Sequence, residues 1–201
     1  LHAGLDYQTK LARFLENHDE PRAAATFPPG VHQAAAVITF LSPGLRFFHQ
    51  GQFVGRKKRI SPHLVRAPQE SPDKEMGEFY YHLLAILRKP IVKSGEWQWL
   101  ACQPAWDGNG SWDSFVAHTW RGTGGERMLT AVNYAPHPSQ CYLLLPFPEI
   151  KDRSVRLKDS LSSACYIREG NELLERGLYL DLQPWSFHVF DLEVNEGKRL
   201  P

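Results

Sequence analysis

The hydrophobic positions change period once along the chain. Up to about residue 93 they recur at helical spacing between short apolar runs, and beyond it they alternate. Leu1, Leu5 and Leu11 carry a weak helical spacing that feeds a short run, Ala12, Phe14 and Leu15, which predicts a buried strand. Ala34, Ala35, Val37, Ile38, Phe40 and Leu41 predict an apolar helix closed by Ser42, Pro43 and Gly44. A second strand follows in "LRFFHQGQF", Leu45 to Phe53, running out at Gly51, so strand, helix and strand form the unit of a parallel sheet. The clearest helix starts at Ser71 as N-cap and Pro72 as first helical residue, and ends at Arg88, Lys89 and Pro90. Its stripe of Met76, Phe79, Tyr80, Leu83, Leu84 and Leu87 should face the sheet.

After Ser94 the segments "WQWLAC", "FVAHTWR", "RMLTAVNY", "CYLLL", "GLYLDL" and "SFHVFDLEV" read as short alternating strands. Asp107 to Gly110, Gly122 to Gly125 and Pro136 to Ser139 read as their turns. The second half therefore predicts an antiparallel β sandwich of about eight strands without long helices. The junction lies within Lys89 to Gly95, which gives parts 1–92 and 93–201.

Composition narrows the function classes. The 23 Lys+Arg against 22 Asp+Glu give a net charge of +1, too little for general attraction to a phosphate backbone, so nucleic acid is not an expected partner. No stretch approaches the roughly 20 apolar residues of a membrane span. The three cysteines, Cys102, Cys141 and Cys165, form neither a disulfide framework nor a zinc spacing. The expectation is a reducing, cytoplasmic compartment, with Cys141 and Cys165 as small core hydrophobes.

The densest chemistry is "ENHDE", Glu16 to Glu20, directly after the first apolar run. Ligands collect at the carboxyl ends of parallel strands, which makes Asn17, His18 and Asp19 candidates to face a site. A second reading stays open, with Asp19 as a helix N-cap and Glu20 and Pro21 in the first turn. Arg22 reads either as a solvated residue at the helix start or as one that reaches the same cleft. Glu16 and Glu20 receive no role.

"FLENHD" at one strand end, followed by "PGLRFFHQGQ" from Pro43 to Gln52, resembles the seventh and eighth strands of the eightfold β/α (TIM) barrel of the α-amylase family of glycoside hydrolases. The resemblance extends over essentially the whole chain and implies that the sandwich is that family's C-terminal domain. It implies that Asp19 is the third catalytic carboxylate, that His18 and Asn17 bind substrate with Arg22 nearby, and that the substrate is an α-glucan or maltooligosaccharide cut with retention. Glycoside cleavage passes through an oxocarbenium-like state, which a fixed carboxylate stabilises. The nucleophile and acid/base of such an enzyme come from strands that nothing in this chain resembles. The expected partner is therefore an upstream barrel segment, and the chain alone is expected to be inactive. No cofactor or metal is implied here, and any calcium belongs to the remainder of the enzyme. The unpaired edges of a partial barrel make a homodimer of the chain a further expectation. The competing class is a non-catalytic carbohydrate-binding or structural module, which has no need of Asn-His-Asp in that order.

One departure concerns the substrate. Phe53 stands where the family often has an acidic residue, and the basic run "GRKKR", Gly55 to Arg59, follows it. It reads as a solvated loop. Of the six tryptophans, most are expected in the sandwich core, with Trp106 and Trp112 the least expected inside. His49 reads as a satisfied strand-end histidine.

Overall fold

The computed structural model describes residues 4–28, 30–61, 63 and 65–195. The chain divides into two units, Leu1–Arg88 and Lys89–Pro201. The expected boundary after residue 92 falls inside helix α5, Pro90–Ser94, which belongs to the second unit.

In the first unit, α1 spans Leu5–Gln8 and β1 spans Ala12–Arg13. Helices α2, Ala23–Thr26, and α3, Val31–Leu41, lead to β2, Leu45–Arg46. β1 and β2 pair in parallel, with Ala12 opposite Leu45 and Arg13 opposite Arg46. Gly44 makes that approach feasible: its φ is 124°, and a Cβ there would lie 2.4 Å from the Leu11 carbonyl oxygen. Both strands are shorter than the sequence implies, and Ala12 and Phe14 are exposed rather than buried, because this two-stranded sheet leaves each strand one covered edge. Beyond Arg46 the aromatic run leaves the ladder, and Phe48 packs on Phe40 and Phe53 with ring centroids 4.2 and 5.1 Å away. Helix α3 starts at Val31, earlier than expected, and buries Ala34, Ala35, Val37, Phe40 and Leu41.

Helix α4 spans Lys74–Leu87. Its cap is Asp73, not Ser71, since the Asp73 carboxylate accepts from the Met76 N–H at 3.0 Å and satisfies one open donor of the first turn. Met76, Tyr80, Leu83 and Leu87 are buried at the predicted spacing, with Ile86 beside them, while Phe79 and Leu84 are partly buried.

Among the described residues of the second unit, nine strands form two antiparallel sheets. They are β3 (Glu96–Leu100), β4 (Cys102–Pro104), β5 (Phe115–Arg121), β6 (Arg127–Asn133) and β7 (Ser139–Leu143). Four more follow: β8 (Ser154–Asp159), β9 (Cys165–Glu169), β10 (Leu178–Leu182) and β11 (Phe187–Val194). The larger sheet runs β3-β5-β6-β11-β8-β9 and the smaller β10-β7-β4. Leu129, Val155, Leu157 and Phe190 of the first share one core with Cys141, Leu143, Leu178 and Leu180 of the second. The helix in this β region is α6, Gly170–Glu175, a turn and a half between β9 and β10.

Two expectations are corrected here. Trp120 is the buried tryptophan; Trp97 and Trp99, on one face of the edge strand β3, are partly buried, as are Trp112 and Trp185, and Trp106, in the turn after β4, is exposed. Cys165 is exposed, since it lies on the edge strand β9. Cys141 is buried, and its hydrogen bond with Cys102, together with burial, pushes its thiol pKa up. Among the described residues no helix is long and apolar enough to cross a membrane.

Candidate functional site

The segment after β1 turns sharply. Asn17 Oδ1 accepts from the backbone N–H groups of Asp19 and Glu20 at 2.8 and 2.9 Å, a side-chain-closed turn that local sequence chemistry favours. The turn presents His18 and Asp19 to solvent, their side chains 69% and 76% exposed, with His18 Nε2 3.3 Å from Asp19 Oδ2. Asp19 caps no helix: α2 begins four residues later, after Arg22, and its Ala23 N–H donates to Glu16 Oε2 at 2.7 Å.

What holds this turn lies beneath it. Glu16 and Arg22 are both fully buried, with Arg22 Nη1 3.0 Å from Glu16 Oε1. Arg22 also donates from Nη2 to the Gln50 carbonyl at 2.9 Å, from Nε to the Arg56 carbonyl at 3.3 Å, and from Nη1 to His49 Nδ1 at 2.6 Å. A guanidinium can only donate, so His49 accepts at Nδ1 and carries its proton on Nε2. Neither reading of Arg22 from the sequence holds: it is not solvated at a helix start, and its enclosed guanidinium ties the turn to the segment that follows β2, His49 to Arg56, instead of reaching a cleft. Glu16, which received no role, is the residue that sequence reasoning missed. Its one signal is a carboxylate directly after an apolar run, six positions before an arginine.

The Gly-Gln pair acquires a physical reason. Gly51 has φ 90°, and a Cβ there would lie 2.5 Å from Arg22 Nη2 and 2.6 Å from Arg56 Cδ, so a side chain would displace the guanidinium. Gln52 is buried, accepting from the His49 N–H at 3.3 Å and donating to the Tyr80 hydroxyl at 2.8 Å. Tyr80 in turn lies 3.0 Å from His32 Nε2. A polar chain from α3 and α4 thus ends at the ion pair under Asn17–Asp19. Burial pushes the Tyr80 phenol up, against the Gln52 hydrogen bond, and pushes the His32 imidazole down to about 4, with Asp73 opposing.

His32 makes a pH prediction. Its folded value lies below the ordinary 6.5, so the unfolded chain binds the extra proton first and stability falls as pH drops from 6.5 towards 4. A shift of that size corresponds to about 3 kcal/mol, complete below pH 4 and absent above 6.5. Thermal unfolding between pH 4 and 6.5 should show a stability slope up to one proton steeper for the parent chain than for His32→Gln. Equal slopes would contradict the assignment.

The basic run lies beside this turn. The Lys57 and Lys58 N–H groups donate to Glu70 at 2.8 and 3.2 Å, and Arg59 Nη2 donates to the His18 carbonyl at 3.2 Å. The Lys57 hydrogen bond, more than the Lys58 and Arg56 charges, holds the Glu70 carboxyl below its ordinary value. Phe53, at the departing position, packs on Phe48 and on Tyr80, the latter 5.3 Å away.

No family model and no curated protein matches the sequence. Solved structures do match. A noncanonic maltogenic alpha-amylase, AmyB from Thermotoga neapolitana, is similar over 90% of this chain and 40% of its own, with TM-score 0.66 and 17% identity. The fold is like that of part of an alpha-amylase. An alpha-amylase from Lactobacillus plantarum matches with TM-score 0.57 at 14% identity, covering 90% of this chain and 37% of its own. The trehalulose synthase MutB from Pseudomonas mesoacidophila matches with TM-score 0.54 at 17% identity, covering 92% and 43%. The chain thus spans about 40% of the length of these structures. At these identities the likeness is one of fold, and the antiparallel sheets of the second unit form part of it.

Proposed function

We propose that the chain is the C-terminal segment of a retaining glycoside hydrolase or transglycosylase acting on α-glucosidic bonds of starch-like oligosaccharides. In this reading residues 1–92 end a β/α barrel and residues 93–201 form its C-terminal sandwich. The observation that carries it is the Asn17–Asp19 turn at the end of a parallel strand, with Asp19 exposed above a buried ion pair, in a chain of α-amylase-type fold.

Asp19 supplies a fixed negative charge beside an anomeric carbon that becomes positive as the glycosidic bond breaks. His18, its neighbour on the same turn, donates to a sugar hydroxyl. Asn17 shapes the turn through its carbonyl oxygen, and Arg22 positions it from below. Retention also needs a nucleophile and an acid/base carboxyl about 5 Å apart, which this reading assigns to an upstream barrel segment. Cleavage then waits on that partner: Asp19 can stabilise developing charge but cannot by itself form a glycosyl-enzyme or protonate the leaving oxygen.

The test is sugar release from starch and an aryl α-glucoside. Residues 1–201 alone should release none, a mixture with a separately expressed upstream segment should release sugar, and Asp19→Ala in the mixture should abolish it. Activity of the chain alone that survives Asp19→Ala would show a different site and a different reaction.

A further inference from the structure

The basic run is better organised than a solvated loop requires. Gly55 turns with φ 62° against Asp73 and Met76 of α4, the two lysine N–H groups close on Glu70, and Arg59 returns to the His18 carbonyl, one residue before Asp19. Arg56 is partly buried, its backbone fixed by Arg22 and by a donation to the Gly51 carbonyl at 3.2 Å. Beside it runs an open groove of about 500 Å³ lined by Arg56, Ala67, Pro68, Gln69, Glu70 and Ser71.

Charge is concentrated here. Arg56, Lys57, Lys58 and Arg59 are four consecutive cations in a chain whose net charge is only +1, with Glu70 against the Lys57 and Lys58 N–H groups. Glu70 engages the lysines through their backbone N–H groups, so it fixes the loop while the Lys57 and Lys58 ammonium groups stay exposed. Arg59 keeps further N–H donors in a planar fork that suits phosphate or carboxylate oxygens. A loop built only to be soluble needs no bidentate clamp and no tether to the turn that carries Asp19.

Resting on the function proposed above, we infer that Arg56–Arg59 is a subsite for an anionic group carried by the sugar substrate, a phosphate or a carboxylate on the glycosyl unit next to the bond being cut. Recognition is electrostatic and additive to sugar binding at Asn17–Asp19. It selects charged over neutral glycosides.

The test is amide chemical-shift titration of the 201-residue chain with glucose, glucose 6-phosphate, glucuronate and inorganic phosphate, for the parent, Lys57→Ala/Lys58→Ala and Asp19→Ala. Both substituted side chains are exposed, and the backbone clamp to Glu70 survives the double substitution. We expect glucose 6-phosphate or glucuronate to bind at least tenfold more tightly than glucose, to shift the signals of both Lys57–Arg59 and Asn17–Asp19, and to lose that advantage in the double variant. Whichever of the two anions binds more tightly identifies the group as phosphate or carboxylate. Equal affinity for charged and neutral sugars would overturn the inference. So would inorganic phosphate binding as tightly as glucose 6-phosphate without moving Asn17–Asp19, or a short single-stranded RNA outcompeting both sugars at Lys57 and Lys58. Asp19→Ala, which removes a charge that acts in the transition state, should leave glucose binding nearly unchanged. An anion advantage that depends on Lys57 and Lys58 while no sugar moves the Asn17–Asp19 signals would instead count against that turn as the sugar site.

Discussion

Glu16→Ala should cost the first unit about 3–5 kcal/mol, the range for breaking a buried ion pair by removing one partner. The loss is large because Arg22 stays where it is. Its guanidinium is held by the Gln50 and Arg56 carbonyls and by His49, so truncating Glu16 leaves a buried positive charge with only neutral acceptors. The Ala23 N–H at the start of α2 loses its acceptor as well. Glu16→Gln keeps an oxygen for Ala23 but not the charge, and should fall between the parent and Glu16→Ala. Replacing both partners, as in Glu16→Gln/Arg22→Met, should recover part of the loss, since no unpaired charge then remains. With two units in the chain, unfolding is best read locally, from amide exchange of α2 and α3. Protection there that is unchanged in Glu16→Ala would show that the pair does not support the turn.

This buried pair marks the limit of what the sequence makes legible. The stripe of α4 is readable because Met76, Tyr80, Leu83 and Leu87 repeat at the helical period, and most strands of the second unit are readable because their two faces differ. β8 and β9 are not: β8 has two faces but charged residues on the outer one, and the residues of β9 are nearly all exposed and offer no alternation to detect. The cap of α4 lies two residues beyond the expected Ser71, because Asp73 alone places an oxygen on a first-turn N–H. The Asn17–Asp19 turn is legible in its residue types, as local side-chain-to-backbone bonds make it. Arg22 and Glu16 are not, because their burial depends on His49, Gln50 and Arg56, which the chain brings back only after some thirty residues. Gly51 is visible as half of a pair, yet its reason, the guanidinium packed against its missing side chain, exists only in three dimensions.

Asp19→Asn, made in the complete enzyme, should lower kcat by about 10²–10³, the usual loss when one preorganised group facing transition-state charge is removed. The substitution keeps size and hydrogen-bonding shape, and the Asp19 backbone N–H that closes the turn on Asn17 is untouched. The Asp19 side chain is exposed and takes no part in the buried pair, so stability should change little. Ground-state binding should change little too, because the glucosyl unit becomes positive only as the bond breaks. The loss therefore falls on kcat and not on KM.

The most direct measurement is the split between kcat and KM for Asp19→Asn on a maltooligosaccharide, beside the parent enzyme. A kcat reduced by about 10²–10³ with KM nearly unchanged is the predicted result. An unchanged kcat with a raised KM would contradict it, and would make the turn that Asp19 occupies a place for holding sugar, not for cutting it.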